Sequence, residues 1–203
     1  ERRRRECGPQ IDGLHLEAEV ARDPFGVVHH AREVVSRRPV TVRVLEPGGT
    51  PPDPARVEKL LLVRHRNVVP TLAYAASDAG PYLVQDRVAG ERADQWIARL
   101  GALSERIAVA VVLQAAKGLR EAAFQGLVHG ALTPCSLFID VAGNVSVTDV
   151  GVVGLCPRAA APEGPYTAPE RLAGGAADAR ADVFSLGAIL CFLVTAREPH
   201  AVA

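Results

Sequence analysis

Apolar and polar positions alternate at period two through Leu14-His15-Leu16-Glu17-Ala18-Glu19-Val20, as in a strand with one face buried. Asp23-Pro24-Phe25-Gly26 follows as a turn. Residues 27–31 and Pro39–Leu45 read as two further strands, separated by an arginine-rich turn, and residues 47–54 form a Pro/Gly loop. Asp53 is placed to cap a helix over residues 54–63, with Pro54 at the first position, where a missing N–H costs nothing. Residues 71–76 and 82–88 are the fourth and fifth strands, joined at Asp78-Ala79-Gly80.

Periodicity then changes. Ser104-Glu105 signals a helix start, and the run to Phe124 puts Ile107, Val111, Ala115 and Leu119 on one face at helical spacing. Residues 182–195 are apolar on nearly every side, as in a helix buried in a core. Between them, residues 127–149 read as a strand end, a tight polar loop, a short strand, a turn at Gly143-Asn144 and a second strand ending on Asp149. The β-rich and α-rich parts meet near residues 88–92. The expected class is therefore α+β: an open antiparallel sheet with one helix, hinged to a mainly helical lobe.

Composition narrows the function classes. Acidic and basic residues balance at 23 each, so no global field points to nucleic acid or to an acidic partner. The run Arg2-Arg3-Arg4-Arg5 reads as a solvated tail within residues 1–13. Cys7, Cys135, Cys156 and Cys191 are scattered without metal-ligand or redox spacing, which fits reduced thiols. No apolar run reaches the length of a membrane span. The chain has no methionine, so the expectation is a piece of a longer or processed protein. Lysine occurs only at positions 59 and 117 against many arginines, which suggests a GC-rich genome.

The loop His129-Gly130-Ala131-Leu132-Thr133-Pro134-Cys135-Ser136 sits between two strands with an acid at their exit, the layout of a catalytic loop. Yet it holds no carboxylate and no amine. Motif fragments in order explain the layout. Phe25-Gly26-Val27-Val28 is similar to the end of a glycine-rich loop, and Val40-Thr41-Val42-Arg43 to a third-strand V-A-I-K. Arg64-His65-Arg66-Asn67-Val68-Val69 resembles H-P-N-I-V, and Tyr82-Leu83-Val84-Gln85-Asp86 a fifth strand entering a hinge. His129 to Pro134 stands for H-R-D-L-K-P, Asp149-Val150-Gly151 for D-F-G, and Ala168-Pro169-Glu170 is an intact A-P-E. Asp182-Val183-Phe184-Ser185-Leu186-Gly187 resembles the start of helix F. The set resembles the protein kinase superfamily, bacterial serine/threonine kinases above all, from about Leu14 onward.

The resemblance implies a two-lobed kinase-like fold. Residues 14–88 would form an N-lobe with a five-stranded antiparallel sheet and helix C, and residues 89–203 a helical C-lobe that stops near the end of helix F. It gives the slot of the catalytic Asp to Ala131, which cannot accept a proton. The slot of the phosphate-neutralising lysine falls to Thr133, and that of the second metal ligand to Ser136. It puts Gly26, Val28, Arg43, Asp86 and Val88 along a nucleotide cleft and makes Asp149 the surviving candidate for magnesium. Asp149 reads as an acid facing an empty cleft, without compensating charge. Of three phosphate-loop glycines only Gly26 remains; Ala21 and Asp23 fill the other slots. Arg43 keeps the charge of the third-strand lysine but not its shape, and Glu58 reads as a solvated helix charge rather than its partner. His129, Glu170 and Asp182 are the structural residues of the motifs, with the partner of Glu170 expected beyond Ala203.

The expected function is a catalytically inactive regulatory or protein-binding module, a pseudokinase whose partner is another protein. Two alternatives stay open. One is an active serine/threonine kinase using Asp140 or Asp149 in a new role; the other is a non-catalytic ATP-binding sensor. No cofactor is expected, and ATP and magnesium, if held at all, would be held weakly. The expected location is cytoplasmic, alone or as the cytoplasmic part of a membrane-tethered protein.

Overall fold

A computed structural model describes residues 11–46, 52–78, 80–156 and 164–199. The arginine run, Cys7, Ala79, most of the Pro/Gly loop, and Arg158 and Glu163 lie outside the described residues.

The five expected N-terminal strands form one antiparallel sheet. They are β1 (Leu14–Asp23), β2 (Gly26–Glu33), β3 (Pro39–Leu45), β4 (Thr71–Ser77) and β5 (Gly80–Asp86), in the order β1-β2-β3-β5-β4. β1 runs three residues past the expected Val20, because pairing with β2 continues to a two-residue connection, with Asp23 opposite Gly26. Gly26 has φ of 133°, and a Cβ there would lie 2.0 Å from the Val44 carbonyl oxygen, so only glycine closes this turn. Helix α1 (Pro54–Leu62) starts as expected: the Asp53 carboxylate accepts from Ala55 N at 3.0 Å.

After the hinge comes a short strand β6 (Glu91–Arg92) leading into α2 (Ala93–Leu100). Neither is legible in the hydrophobic pattern. The two-residue strand is too short for a period, and α2 offers only Ala93 and Ile97 as buried residues. Helix α3 (Glu105–Phe124) has the expected bounds, but its buried face is Ala108, Val111, Ala115, Gly118, Leu119 and Ala122. Ile107 stays 47% exposed, a correction to the expected face. A hairpin follows, β7 (Leu137–Ile139) and β8 (Val145–Val147), in a three-stranded sheet with β6. β8 ends two residues before Asp149, short of the expected strand.

Two more helices close the described chain, α4 (Pro169–Leu172) and α5 (Ala179–Thr195). α5 begins three residues before the expected Asp182, because Asp178 is the residue whose carboxylate caps Arg180 N and Ala181 N. One large core joins α1, α3, α5 and the β7–β8 hairpin, and also takes in Phe25, Leu45 and Leu83 from the N-lobe. A smaller core lies on the N-lobe sheet, built from Ile11, Ala31, Val40, Val42, Val44 and Val84. The lobes are further tied where Val69 N donates to Val147 O and Val147 N to Asn67 O, both at 2.9 Å. No described helix is long and apolar enough to cross a membrane.

Candidate functional site

The cleft between the lobes has a volume of about 540 Å³. Its N-lobe side is set by β1, β2 and β3, which carry Asp23, Val28 and Arg43 on its lining, while Asp86 and Val88 line the hinge. Ala131, Thr133, Ser136 and Asp149 line the opposite side. The structure thus brings together all the sequence-derived cleft residues except Gly26, which is packed behind the turn against Val44.

Arg43 dominates the charge of the cleft. Its side chain is 3% exposed and spans two carboxylates. Nη1 donates to Asp23 Oδ1 at 2.7 Å and Oδ2 at 2.8 Å. Nε donates to Asp149 Oδ1 at 3.1 Å and Nη2 to Asp149 Oδ2 at 2.9 Å. The planar fork of a guanidinium fits this two-sided contact, and a lysine would not reproduce it. Burial alone would lower the Arg43 pKa, but Asp149 and Asp23 more than reverse that and hold it above the ordinary arginine value. Asp149 is therefore compensated, contrary to the sequence expectation of an isolated acid. It also accepts from Thr148 Oγ1 at 3.2 Å and adopts a left-handed φ of 59°, which aspartate tolerates better than most residues. Glu58 is exposed on α1, as expected, while the Arg56 side chain of α1 packs over Gly154.

The β1–β2 turn folds down over this bridge. Asp23 Oδ1 accepts from Phe25 N at 2.9 Å, and the Phe25 ring is buried in the main core. Cys156 Sγ lies 3.7 Å from Phe25 O, so the turn also touches the segment beyond Gly151. Nothing in the sequence pattern announced the bridge, because its three residues stand 20 and 106 positions apart.

Below it, the catalytic-looking loop is held by its backbone. Asp182 on α5 is buried; its Oδ2 accepts from His129 N at 2.9 Å and its Oδ1 from Gly130 N at 2.7 Å. His129 is buried as well, and burial pushes its pKa below the ordinary histidine value, so the ring is neutral near pH 7. Its Nδ1 accepts from Ala131 N at 3.4 Å. Ser136 Oγ is turned inward to accept from Thr133 N at 3.3 Å, and its carbonyl accepts from Thr148 N. Glu170 is exposed on α4. Asp140, the displaced acid of the active-kinase alternative, does not line the cleft: its carboxylate holds the β7–β8 turn through Ala142 N, Asn144 N and Asn144 Nδ2, each at 2.8 Å.

Of the three carboxylates that line the cleft, Asp23 and Asp149 are paired with Arg43 and Asp86 with Arg38. Among the described residues no three His, Cys, Asp or Glu side chains cluster as a metal site.

The bridge carries its own test. Asp149→Asn removes one charge, keeps the shape and tolerates the left-handed backbone. It should destabilise the protein by about 1–2 kcal/mol, below the 3–5 typical of a broken buried pair, because Asp149 is a quarter exposed and Asp23 remains. Chemical denaturation of the two proteins measures it; an unchanged midpoint would mean that the bridge contributes nothing to stability.

The sequence model of the protein kinase domain matches residues 19–202. The chain is 32% identical over 191 residues to a putative CBL-interacting protein kinase 27 of Oryza sativa subsp. japonica, across 86% of this chain and 47% of the relative. It is 26% identical over 203 residues to the serine/threonine-protein kinase PknL of Mycobacterium tuberculosis, across 93% of this chain and 51% of that protein. To the serine/threonine-protein kinase PknA of the same species it is 28% identical over 214 residues, across 96% of this chain and 49% of PknA. The chain spans about half the length of these curated relatives. With a lobed α+β fold, the ordered motif fragments and a family match over nearly its whole length, the chain belongs to the protein kinase family.

Proposed function

We propose that this kinase-family domain does not transfer phosphate and acts as a regulatory, protein-binding module. The observation that carries the reading is the Asp23–Arg43–Asp149 bridge across the cleft. Phosphoryl transfer relies on positioned cations and a proton acceptor around the moving group. Here Arg43, the one buried cation among the described residues, is committed to two carboxylates, and the loop offers Ala131, Thr133 and Ser136 where an acceptor, a cation and a metal ligand would serve. What the loop keeps is the architecture that holds its backbone, through Asp182 and His129. A fold retained without its reactive groups is suited to presenting surfaces to another protein.

Nucleotide binding tests the bridge. A ligand that binds only the native state adds RT ln(1 + [L]/Kd) to stability. With Kd at or above the ATP concentration the gain is at most about 0.4 kcal/mol, roughly 1–2 °C in Tm for a domain of this size. The expected result with millimolar ATP and magnesium is a shift within that limit. A larger, magnesium-dependent shift that disappears in Asp149→Asn would replace this reading with the ATP-sensor alternative.

A further inference from the structure

The turn between β2 and β3 sets a serine among arginines, in the run Arg32-Glu33-Val34-Val35-Ser36-Arg37-Arg38. We infer that Ser36 is a phosphorylation site for a separate serine kinase that selects basic segments, and that its phosphate loosens the hinge by drawing on the arginines that brace it. The inference goes beyond the proposed function and does not rest on it.

The first argument is access. Every residue from Val34 to Pro39 is exposed, Val35 at 95%. Exposed loop tips are where enzymes that act on folded proteins reach the chain.

The second argument is the setting of the hydroxyl. Ser36 Oγ donates to the Glu33 carboxylate and accepts from Arg38 N at 3.1 Å. Arg37 holds a left-handed φ of 61° and makes no ion pair among the described residues. A phosphate on Ser36 carries a charge of about −1.5 to −2. It has no proton to give Glu33 and repels that carboxylate, while the Arg38 N–H already points to its ester oxygen. The uncommitted Arg37 guanidinium is the next side chain along. Two acids oppose the phosphate, Glu33 itself and the exposed Asp12, which precedes the Gly13 carbonyl that accepts from Val34 N. Charge-assisted bonds from arginine to phosphate are stronger than the neutral serine bond they replace.

The third argument is what these arginines already hold. Arg38 Nη2 donates to Asp86 Oδ2 at 2.9 Å. Arg32 Nε donates to Glu17 Oε1 at 2.7 Å, and Glu17 Oε2 accepts from Arg87 Nη2 at 2.8 Å. Arg32 also reaches the turn, through Nη1 to Arg37 O at 3.4 Å. Both hinge residues, Asp86 and Arg87, are thus braced from this one turn, and Asp86 lines the cleft. The Arg38–Asp86 pair is 47% and 38% exposed, a weakly held contact that a nearby dianion can draw apart.

In the transfer, Ser36 Oγ bonds to the γ-phosphorus of ATP and the bond from that phosphorus to the bridging oxygen breaks. ADP leaves with the electron pair, and the hydroxyl proton passes to the base of the modifying kinase.

The experiment incubates the purified chain with labelled ATP and magnesium in three arms. One has no added kinase, one the catalytic subunit of cyclic-AMP-dependent protein kinase, which selects basic segments, and one casein kinase 2, which selects acidic ones. Mass spectrometry locates the phosphate. The expected result is labelling of Ser36 in the basic-selective arm above both others. It should vanish in Ser36→Ala and run about three- to fivefold slower in Arg37→Asn, which tolerates the left-handed backbone. Amide hydrogen exchange at residues 86–88 then reads the hinge. It should be about two- to fivefold faster in the phosphorylated chain, and in unmodified Arg38→Gln, than in the parent. No labelling of Ser36 in the basic-selective arm, stronger labelling by casein kinase 2, or unchanged hinge exchange in the phosphorylated chain would overturn the inference. Labelling of Ser36 without added kinase would overturn both the need for a separate kinase and the absence of phosphate transfer. Failure of the basic-selective arm alone leaves the proposed function standing.

Discussion

Asp182→Ala is expected to cost about 2–6 kcal/mol of folding stability. The substitution strands two buried N–H groups, those of His129 and Gly130, and each unsatisfied buried donor costs about 1–3 kcal/mol. Native domains are stable by only about 5–15 kcal/mol, so the variant should unfold at much lower denaturant or accumulate poorly. Asp182→Asn keeps one acceptor oxygen and should fall between the parent and the alanine variant. The expected order of destabilisation is Asp182→Ala, then Asp182→Asn, then Asp149→Asn. Equilibrium denaturation of the series, where each variant can be purified, gives the order. An Asp149→Asn loss equal to or greater than that of Asp182→Ala would mean that the cleft bridge, not the loop anchor, is the main structural use of these carboxylates.

Much of the fold was legible because its signals are local. Alternation identified β1, runs between turn signals the other N-lobe strands, Asp53 with Pro54 the start of α1, and helical spacing the extent of α3. Asp182 was singled out only through the ordered motifs; its carboxylate accepts from the backbone of the loop at His129 and Gly130. What escaped was either short or long-range. β6 and α2 carry too few buried residues for a period. The face of α3 was misplaced at Ile107 because an apolar residue lining a surface groove looks, in one dimension, like a core residue. The site shows the same limit. Asp149 was read as an uncompensated acid and Asp23 only as a residue in a glycine slot, since nothing in the order of residues says that one arginine on β3 will reach both. That pairing changes the physical account of the cleft from an open site with missing parts to one whose remaining charges are bound to each other.

The second large effect concerns chemistry. Removing one essential group from a catalytic site commonly costs about 10²–10³ in rate, and losses of groups that act as a unit do not simply add. With alanine in the proton-acceptor slot and the buried cation committed elsewhere, phosphate transfer should fall to background. The most direct measurement is incorporation of labelled phosphate from ATP with magnesium, into the protein itself and into a generic basic protein substrate, run side by side with Asp149→Asn. The account predicts background counts in both. Counts that are equal and above background in both would come from a contaminating kinase and leave the prediction standing for the purified chain. Incorporation by the parent that Asp149→Asn abolishes would contradict the account, because it would make the bridged carboxylate part of a working phosphotransfer site.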